Sequence, residues 1–492
     1  MKKFIVSIDQ GTSSSRAILF DLKGKPVFVS QKEFKQYYPK NGWVEHNPVE
    51  IWNVTKKVLR DILKKNKKIK GKILTIGITN QRETTVLWDN ITGKCVYNAI
   101  VWQDRRTQNA CAVLKKRGHE NFIKSRTGLL IDPYFSATKI KWILENVSSA
   151  KNLLKKNRLL FGTIDSYLVW KLTNGKIHAT DATNASRTML FNIKKNCWDK
   201  KILNLLKIPK KILPEIKNSA DFFGNTHKSI TYKSYPINGV IGDQQSAAFG
   251  QSCLKKGSIK ITYGTGAFAI MNTGHKIVNS KSKMLTTVCY RLNNKSTYGI
   301  EGSIFIAGAG IQWLRDKLKI INKAEQTEKI SNDLKHNNDI YFVPAFTGLG
   351  APYWEPHARG VLIGLNSDTG RNEIIRATLE SVAYQTSDLL HAMNKDGIKP
   401  KILKIDGGMV KNNWFSQFLS SVINLNVLRP KVQETTALGA ALLAGYSIGV
   451  FKKLSDISRI WKIDKKFKPS MSRKNRLKLL NGWNHAIKKT LT

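Results

Sequence analysis

Two segments, far apart in the chain, share one layout, and that repetition limits the fold more than any other feature of the sequence. Residues 4 to 9 (FIVSID) and 17 to 21 (AILFD) are apolar, β-branched runs separated by QGTSSSR, the composition of two strands joined by a tight polar turn. Residues 258 to 273 (SIKITYGTGAFAIMNT) repeat the pattern around a Gly-Thr-Gly turn. Two such hairpins predict two related domains. The length of 492 residues calls for the same division, because a single hydrophobic core stops growing near roughly 250 to 300 residues. A boundary near residue 246 gives halves 1–246 and 247–492, and it rests on the repeat, since no Pro-rich or low-complexity linker marks it.

Between the hairpins, residues 71 to 89 (GKILTIGITNQRETTVLWD) read as a strand running into a polar segment, and residues 234 to 250 (SYPINGVIGDQQSAAFG) as a strand ending at Asp243 before a helix. Residues 372 to 393 carry apolar side chains at helical spacing, and residues 435 to 449 form a small-residue helix suited to close packing. The fold class is α/β. Polar residues gather where strands stop, which in open α/β folds is where ligands sit.

Hydrophobic residues at 41% and charged residues at 24% are ordinary for a soluble globular protein. The apolar stretch of MKKFIVSIDQG is too short for a signal peptide, and no run approaches the roughly 18 apolar residues of a membrane span. A cytoplasmic location is the default expectation. The five cysteines are scattered and never in a C-x-x-C pair, so neither a disulfide framework nor a zinc site is suggested. The formal net charge of +48 admits a polyanion-binding reading, but the lysines are spread along the whole chain without a localised basic module, and no nucleic-acid partner is expected.

Nucleotide phosphates need many donors on backbone that can approach closely. The turn Gly11, Thr12, Ser13, Ser14, Ser15 and the following Arg16 supply amides, hydroxyls and a cation, although the same residue types make ordinary solvated turns. The companion turn Gly264, Thr265, Gly266 favours the first reading, since two turns, one per half, can hold a triphosphate between them. A third element, LKIDGGMVKNN (403 to 413), ends an apolar strand in Asp406, Gly407 and Gly408, where paired glycines would let backbone lie against adenine or ribose. The P-loop, the protein-kinase motifs and a strand-linked G-x-G-x-x-G are all missing.

Ten motifs together resemble the FGGY carbohydrate kinases over nearly the whole chain, most closely the members that phosphorylate glycerol. They are DQGTSSSRA (9 to 17), NPVEIW (47 to 52), GITNQRETTVLW (77 to 88), AIVWQDRRT (99 to 107), DPYFSATKIKWIL (132 to 144), GDQQSAAFGQ (242 to 251), TYGTGAF (262 to 268), EGSIFIAGAGIQWLRD (301 to 316), VPAFTGLGAPYWEPHARG (343 to 360) and DGGMVKNN (406 to 413). The resemblance implies a two-domain actin/hexokinase-like, ribonuclease H-like fold with ATP in the interdomain cleft. The implied reaction is ATP-dependent phosphorylation of glycerol to sn-glycerol 3-phosphate with ADP release, serving glycerol catabolism or glycerolipid supply.

By the same resemblance Asp243 is the general base, and Arg82, Glu83, Tyr134, Asp243 and Gln244 are the polar groups that hold glycerol, with Trp102 and Phe268 as the apolar wall. From the residues alone, Asp243 reads as a helix N-cap, Arg82 and Glu83 as a plain ion pair, and Trp102 as core. Thr12, Ser13, Ser14 and Arg16 are implied for the phosphates, Thr265 and Gly308 for phosphate and ribose, and Gln312, Gly408 and Asn412 for the adenosine. Asp9 is implied to hold Mg²⁺ through water, as suits an ion that dehydrates reluctantly. A homo-oligomer, dimer or tetramer, is implied as well. Two regulatory features of some relatives are replaced here: the Gly-Gly-Thr-Arg loop for fructose 1,6-bisphosphate by Thr231, Tyr232, Lys233 and Ser234, and an acidic C-terminal docking segment by Ser472, Arg473, Lys474 and Asn475.

Overall fold

In the computed structural model, which describes residues 1–491, the two hairpins open two separate sheets. Thr492, the last residue of the expected second half, lies outside the described residues. The first sheet contains β1 (Lys3–Gln10), β2 (Ser14–Asp21), β3 (Pro26–Glu33), β4 (Lys72–Asn80) and β5 (Ile237–Gly242), in the order β5-β4-β1-β2-β3. The second contains β6 (Ile259–Tyr263), β7 (Ala267–Gly274), β8 (Leu285–Leu292), β9 (Lys295–Ile304), β10 (Ile402–Asp406), β11 (Asn426–Pro430) and β12 (Ile463–Phe467), in the order β8-β9-β7-β6-β10-β11-β12. In both, the first hairpin strand is central, pairing antiparallel on one side and parallel on the other, and in the second sheet the outermost strand β12 pairs antiparallel with β11. Equivalent turns therefore leave equivalent edges of the two sheets.

The helices that position the site are α1 (Pro48–Lys68), α2 (Asp243–Gly250), α3 (Gly308–Asp316), α4 (Arg371–Lys395), α5 (Asn413–Ile423) and α6 (Thr435–Ser447). Strand alternation sorts the core between layers. Phe4, Val6 and Ile8 of β1 join one cluster with Ile51, Val58 and Ile62 of α1, while Ile5 joins another with Ala437, Ala440 and Ala444 of α6. The helix α1 starts cleanly because the Asn47 side chain accepts from the Val49 amide at 2.9 Å and Pro48 takes the first turn, where its missing N–H is not needed.

The halves interlock. Helix α6 lies in sequence between β11 and β12 of the second sheet but packs on the first, so tightly that a Cβ on Gly77 of β4 would lie 2.2 Å from the Ala440 carbonyl oxygen. Where α6 crosses α2, a Cβ on Gly439 would lie 1.9 Å from the Ser246 carbonyl oxygen. The small residues of α6 thus permit contact between two helix backbones, one from each half, and residue 246 lies inside that crossing rather than in a linker. Among the described residues no helix is long and apolar enough to cross a membrane, and all five cysteines are free.

Candidate active site

The β1–β2 turn is closed by the Gly11 amide donating to the Ser14 carbonyl at 2.9 Å, leaving Thr12 and Ser14 half-buried and Ser13 exposed. Register places Arg16 of β2 opposite Asp9 of β1, and their side chains pair at 2.6 Å. The other Arg16 nitrogen reaches Glu434, at the start of α6, also at 2.6 Å, so this cation is held between elements of both halves. In the second hairpin the Thr265 carbonyl accepts from the Ala307 and Ala309 amides, and the Gly264 carbonyl from the Gly308 amide, which seats the turn on the N-terminus of α3. Gln312, one turn into α3, is exposed.

At the end of β10, Gly407 sits at φ 96°, a left-handed conformation that favours glycine. A Cβ on the next residue, Gly408, would meet no atom within 4 Å, so this backbone borders open space. Asn412 caps α5, its Oδ1 accepting from the Phe415 amide at 2.8 Å while its Nδ2 donates to Thr327.

The second group of candidates forms around Arg82, where the chain leaves β4. Its guanidinium forks onto Glu301 of β9, with donor distances of 2.6 and 2.9 Å. Glu83 instead accepts from Arg187 Nε at 2.6 Å, and Arg187 also reaches Glu301 at 3.1 Å. The expectation of a plain Arg82–Glu83 ion pair is therefore corrected. These two groups are 3.9 Å apart and belong to a fully buried set of two arginines and two glutamates contributed by both halves. Burial by itself pushes the Glu301 carboxyl up, yet Arg187 and Arg82 hold it down at about 2. Glu83 also has a left-handed backbone, φ 62°, unusual for its type, and its carbonyl is held by the Ser136 hydroxyl at 2.9 Å.

Asp243 faces this set, with Arg82 Nε 3.2 Å from its Oδ1. The cap position of α2 is Gly242, and Asp243 is the first helical residue, which corrects the N-cap reading. The Gln244 amide donates to Asp243 Oδ1 at 2.6 Å. Burial pushes the Asp243 carboxyl up to about 6, against the opposing pull of Arg82, with Glu83 adding to the rise. Its side chain stays 26% exposed, so it remains reachable. The Trp102 ring stands edge-on to Tyr134 at 5.6 Å and to Phe268 at 6.0 Å, and its indole Nε1 donates to Thr12 Oγ1 at 3.0 Å. Arg82, Glu83, Trp102, Tyr134, Asp243, Gln244 and Phe268 thus come together beside the first phosphate-type turn. Thr265 and Gly408 lie where the central strands β6 and β10 end, Gly308 and Gln312 in the first turn and a half of α3, and Asn412 at the start of α5.

Sequence reasoning missed Glu301, Arg187, Lys260 and Glu434. The available signal was a charge inside an otherwise apolar strand, as in YGIEGSIFI and SIKITY. Burial on both sides of such a strand demands a partner that spacing along the chain cannot name.

Residues 4–250 match the model of the FGGY family of carbohydrate kinases, N-terminal domain, and residues 259–448 match its C-terminal domain. The chain belongs to the FGGY family of carbohydrate kinases. This FGGY chain is 53% identical to glycerol kinase of Alkaliphilus oremlandii, over 100% of its own length and 98% of that protein's. It is 51% identical to glycerol kinase 1 of Pseudomonas aeruginosa, covering 99% of both chains. Among solved structures, Plasmodium falciparum glycerol kinase with ADP superposes with a TM-score of 0.94 at 38% identity, covering 100% of this chain and 99% of that one.

Proposed function

We propose that this FGGY kinase is a glycerol kinase that transfers the γ-phosphoryl group of ATP to glycerol, with Asp243 as general base, forming sn-glycerol 3-phosphate and ADP. The observation that carries the reading is the position of Asp243. It is a half-buried carboxylate between Arg82 and the Gln244 amide, and Arg82 in turn faces Tyr134, whose ring meets Trp102, the side chain that also contacts Phe268 and donates to Thr12. A carboxyl titrating at about 6 is mostly ionised at pH 7 and basic enough to accept a hydroxyl proton in the transition state. The acceptor oxygen then bonds to the γ-phosphorus as the bond to the β,γ-bridging oxygen breaks, and ADP leaves with those electrons. Full-length glycerol kinases at 51 to 53% identity support the same acceptor.

Glycerol has hydroxyls on every carbon, so a selective site needs polar groups for the oxygens and an apolar face for the carbons. Arg82, Glu83, Tyr134 and Gln244 supply the first; Trp102 and Phe268 supply the second. For the nucleotide, Thr12, Ser13, Ser14, Arg16 and Thr265 would meet phosphates, and Gly308, Gln312, Gly408 and Asn412 the nucleoside. Magnesium is compatible with the donor set. Asp9 offers one buried carboxylate with an oxygen beyond the one Arg16 engages, and among the described residues no group of three acidic, His or Cys side chains could form an all-protein cage. That suits an ion completed by water and phosphate, held at Asp9, where it would neutralise charge on the triphosphate. Lobes 1–246 and 247–492 would close on both substrates and exclude water.

The test is ADP production from MgATP by the purified protein, with and without glycerol, beside Asp243→Ala. Glycerol-dependent turnover by the wild type alone is expected. Preference for a pentulose, hexulose or longer polyol would overturn the acceptor, and a fully active Asp243→Ala would overturn the base.

A further inference from the structure

Lys260 lies in the middle strand of the second sheet, between Ile259 and Ile261, and is fully buried. Alternation along β6 sends Ile259, Ile261 and Tyr263 into the core of the second half and turns Lys260 and Thr262 to the opposite face. Thr262 is paired in register with Phe268 of β7, so this is the face that carries the aromatic wall. Lys260 Nζ donates to Gln244 Oε1 at 2.5 Å and to Thr262 Oγ1 at 2.9 Å. Both partners are neutral. Burial lowers the Lys260 pKa, opposed by the nearby carboxylates of Asp406, Asp243 and Glu301, and burying an ammonium whose direct hydrogen-bond partners are neutral is costly compared with an apolar side chain of similar length, so its position calls for a reason beyond packing.

The reason lies in the chemistry of the amide. An ammonium has donors and no acceptor, so whatever faces Nζ must be the oxygen of Gln244, and the Nε2 donors are left for another partner. We propose that Lys260 is the positioning residue that commits Gln244 to presenting its Nε2 donors to an acceptor-substrate oxygen, while keeping a positive charge behind Asp243. This rests on the reading of Asp243 and Gln244 as the glycerol site. The residue is not catalytic; it acts through Gln244 and through the field at Asp243. The charged groups facing Asp243 are Arg82, Glu83 and Lys260, and those facing Lys260 are Asp406, Asp243, Arg82 and Glu301. Lys260 opposes protonation of Asp243, so its removal moves the Asp243 titration upward.

The experiment is a double-mutant cycle on the full chain with Lys260→Met, Gln244→Ala and the pair, measuring KM for glycerol, KM for ATP and the acid limb of kcat/KM. Loss of one hydrogen bond to a charged group corresponds to about tenfold or more. Lys260→Met is expected to raise the glycerol KM by that factor, leave the ATP KM unchanged and move the acid limb to higher pH. The double variant is expected to bind glycerol no worse than Gln244→Ala alone. Penalties that multiply, or an unchanged acid limb, overturn the proposal. If Lys260→Met does not fold, Gln244→Glu decides: its carboxylate pairs with Lys260 but cannot donate, so its glycerol KM should match that of Gln244→Ala, and a wild-type value overturns the proposal. Absence of glycerol-dependent turnover in the wild type would instead strike the functional reading.

Discussion

Trp102 and Thr12 are joined by a hydrogen bond, the indole Nε1 donating to Thr12 Oγ1 at 3.0 Å, and this bond ties the aromatic wall to the first phosphate-type turn. A single side chain therefore borders both expected substrates. Trp102→Phe keeps an apolar ring beside Tyr134 and Phe268 but frees the Thr12 hydroxyl. One neutral hydrogen bond is worth about 1 kcal/mol, so the ATP KM should rise about fivefold with a smaller change for glycerol. Trp102→Ala should reverse the order, because the wall itself is lost. Initial rates with both substrates varied will separate the two, and an unchanged ATP KM in Trp102→Phe would show that the bond carries no coupling.

Glu301 is the hub of the buried charge set, accepting from Arg82 and Arg187 at once. Glu301→Ala leaves two buried guanidinium groups short of their partner, a change that typically costs about 3 to 5 kcal/mol. It should also release Arg82 and raise the glycerol KM. The carboxyl is held at about 2 against an ordinary value of 4.5, so its contribution to stability is present above pH 4.5 and lost as pH falls toward 2. Thermal unfolding against pH should show that acid loss in the wild type, and a shallower one in Glu301→Gln, which starts from a lower plateau.

What the sequence disclosed and what it hid follow from the range of the interactions. The hairpin turns were legible because Gly, Ser and Thr announce a turn within a few residues, and the strand-to-helix junction before Asp243 was legible to within one residue, the strand ending at Gly242. The partners of Arg82 were not. Glu301 lies 219 positions away and Arg187 belongs to an unremarkable NASRTM segment, so their meeting depends on the packing of one half against the other. The passage of α6 onto the first sheet was hidden for the same reason: small residues announce close packing without saying against what. The resemblance supplied a list of site residues but no distances, and so gave no sign that Arg82 and Glu83 answer to different partners.

Asp243 makes a prediction for pH. Burial raises its carboxyl to about 6, and its proposed role as general base needs the ionised form, so kcat/KM should fall about tenfold per pH unit below 6 and level off above it. Asp243→Asn should keep the fold, lower kcat by about 10²- to 10⁴-fold and abolish that limb. Rates measured from pH 5 to 8, with unfolding curves at each end to exclude loss of structure, will check this. A limb that persists in Asp243→Asn would assign the titration to another group.

Two glycines give opposite predictions for the same substitution, and together they separate hinge from ligand site. At Gly439 an added Cβ would strike the Ser246 carbonyl 1.9 Å away, where α6 crosses α2, and neither backbone can yield without moving the other. Gly439→Ala should cost about 3 kcal/mol by overpacking and, because α2 begins at Asp243, should lower kcat even at saturating substrate. Nucleotide-dependent compaction in small-angle scattering should weaken in this variant if the crossing is where the lobes rotate. At Gly408 an added Cβ would meet no protein atom, so Gly408→Ala should leave the unfolding temperature unchanged. Its effect should fall on the ATP KM alone, because the space it enters is the space a nucleoside would fill. A stable Gly408→Ala with a wild-type ATP KM would remove Gly408 from the nucleotide site.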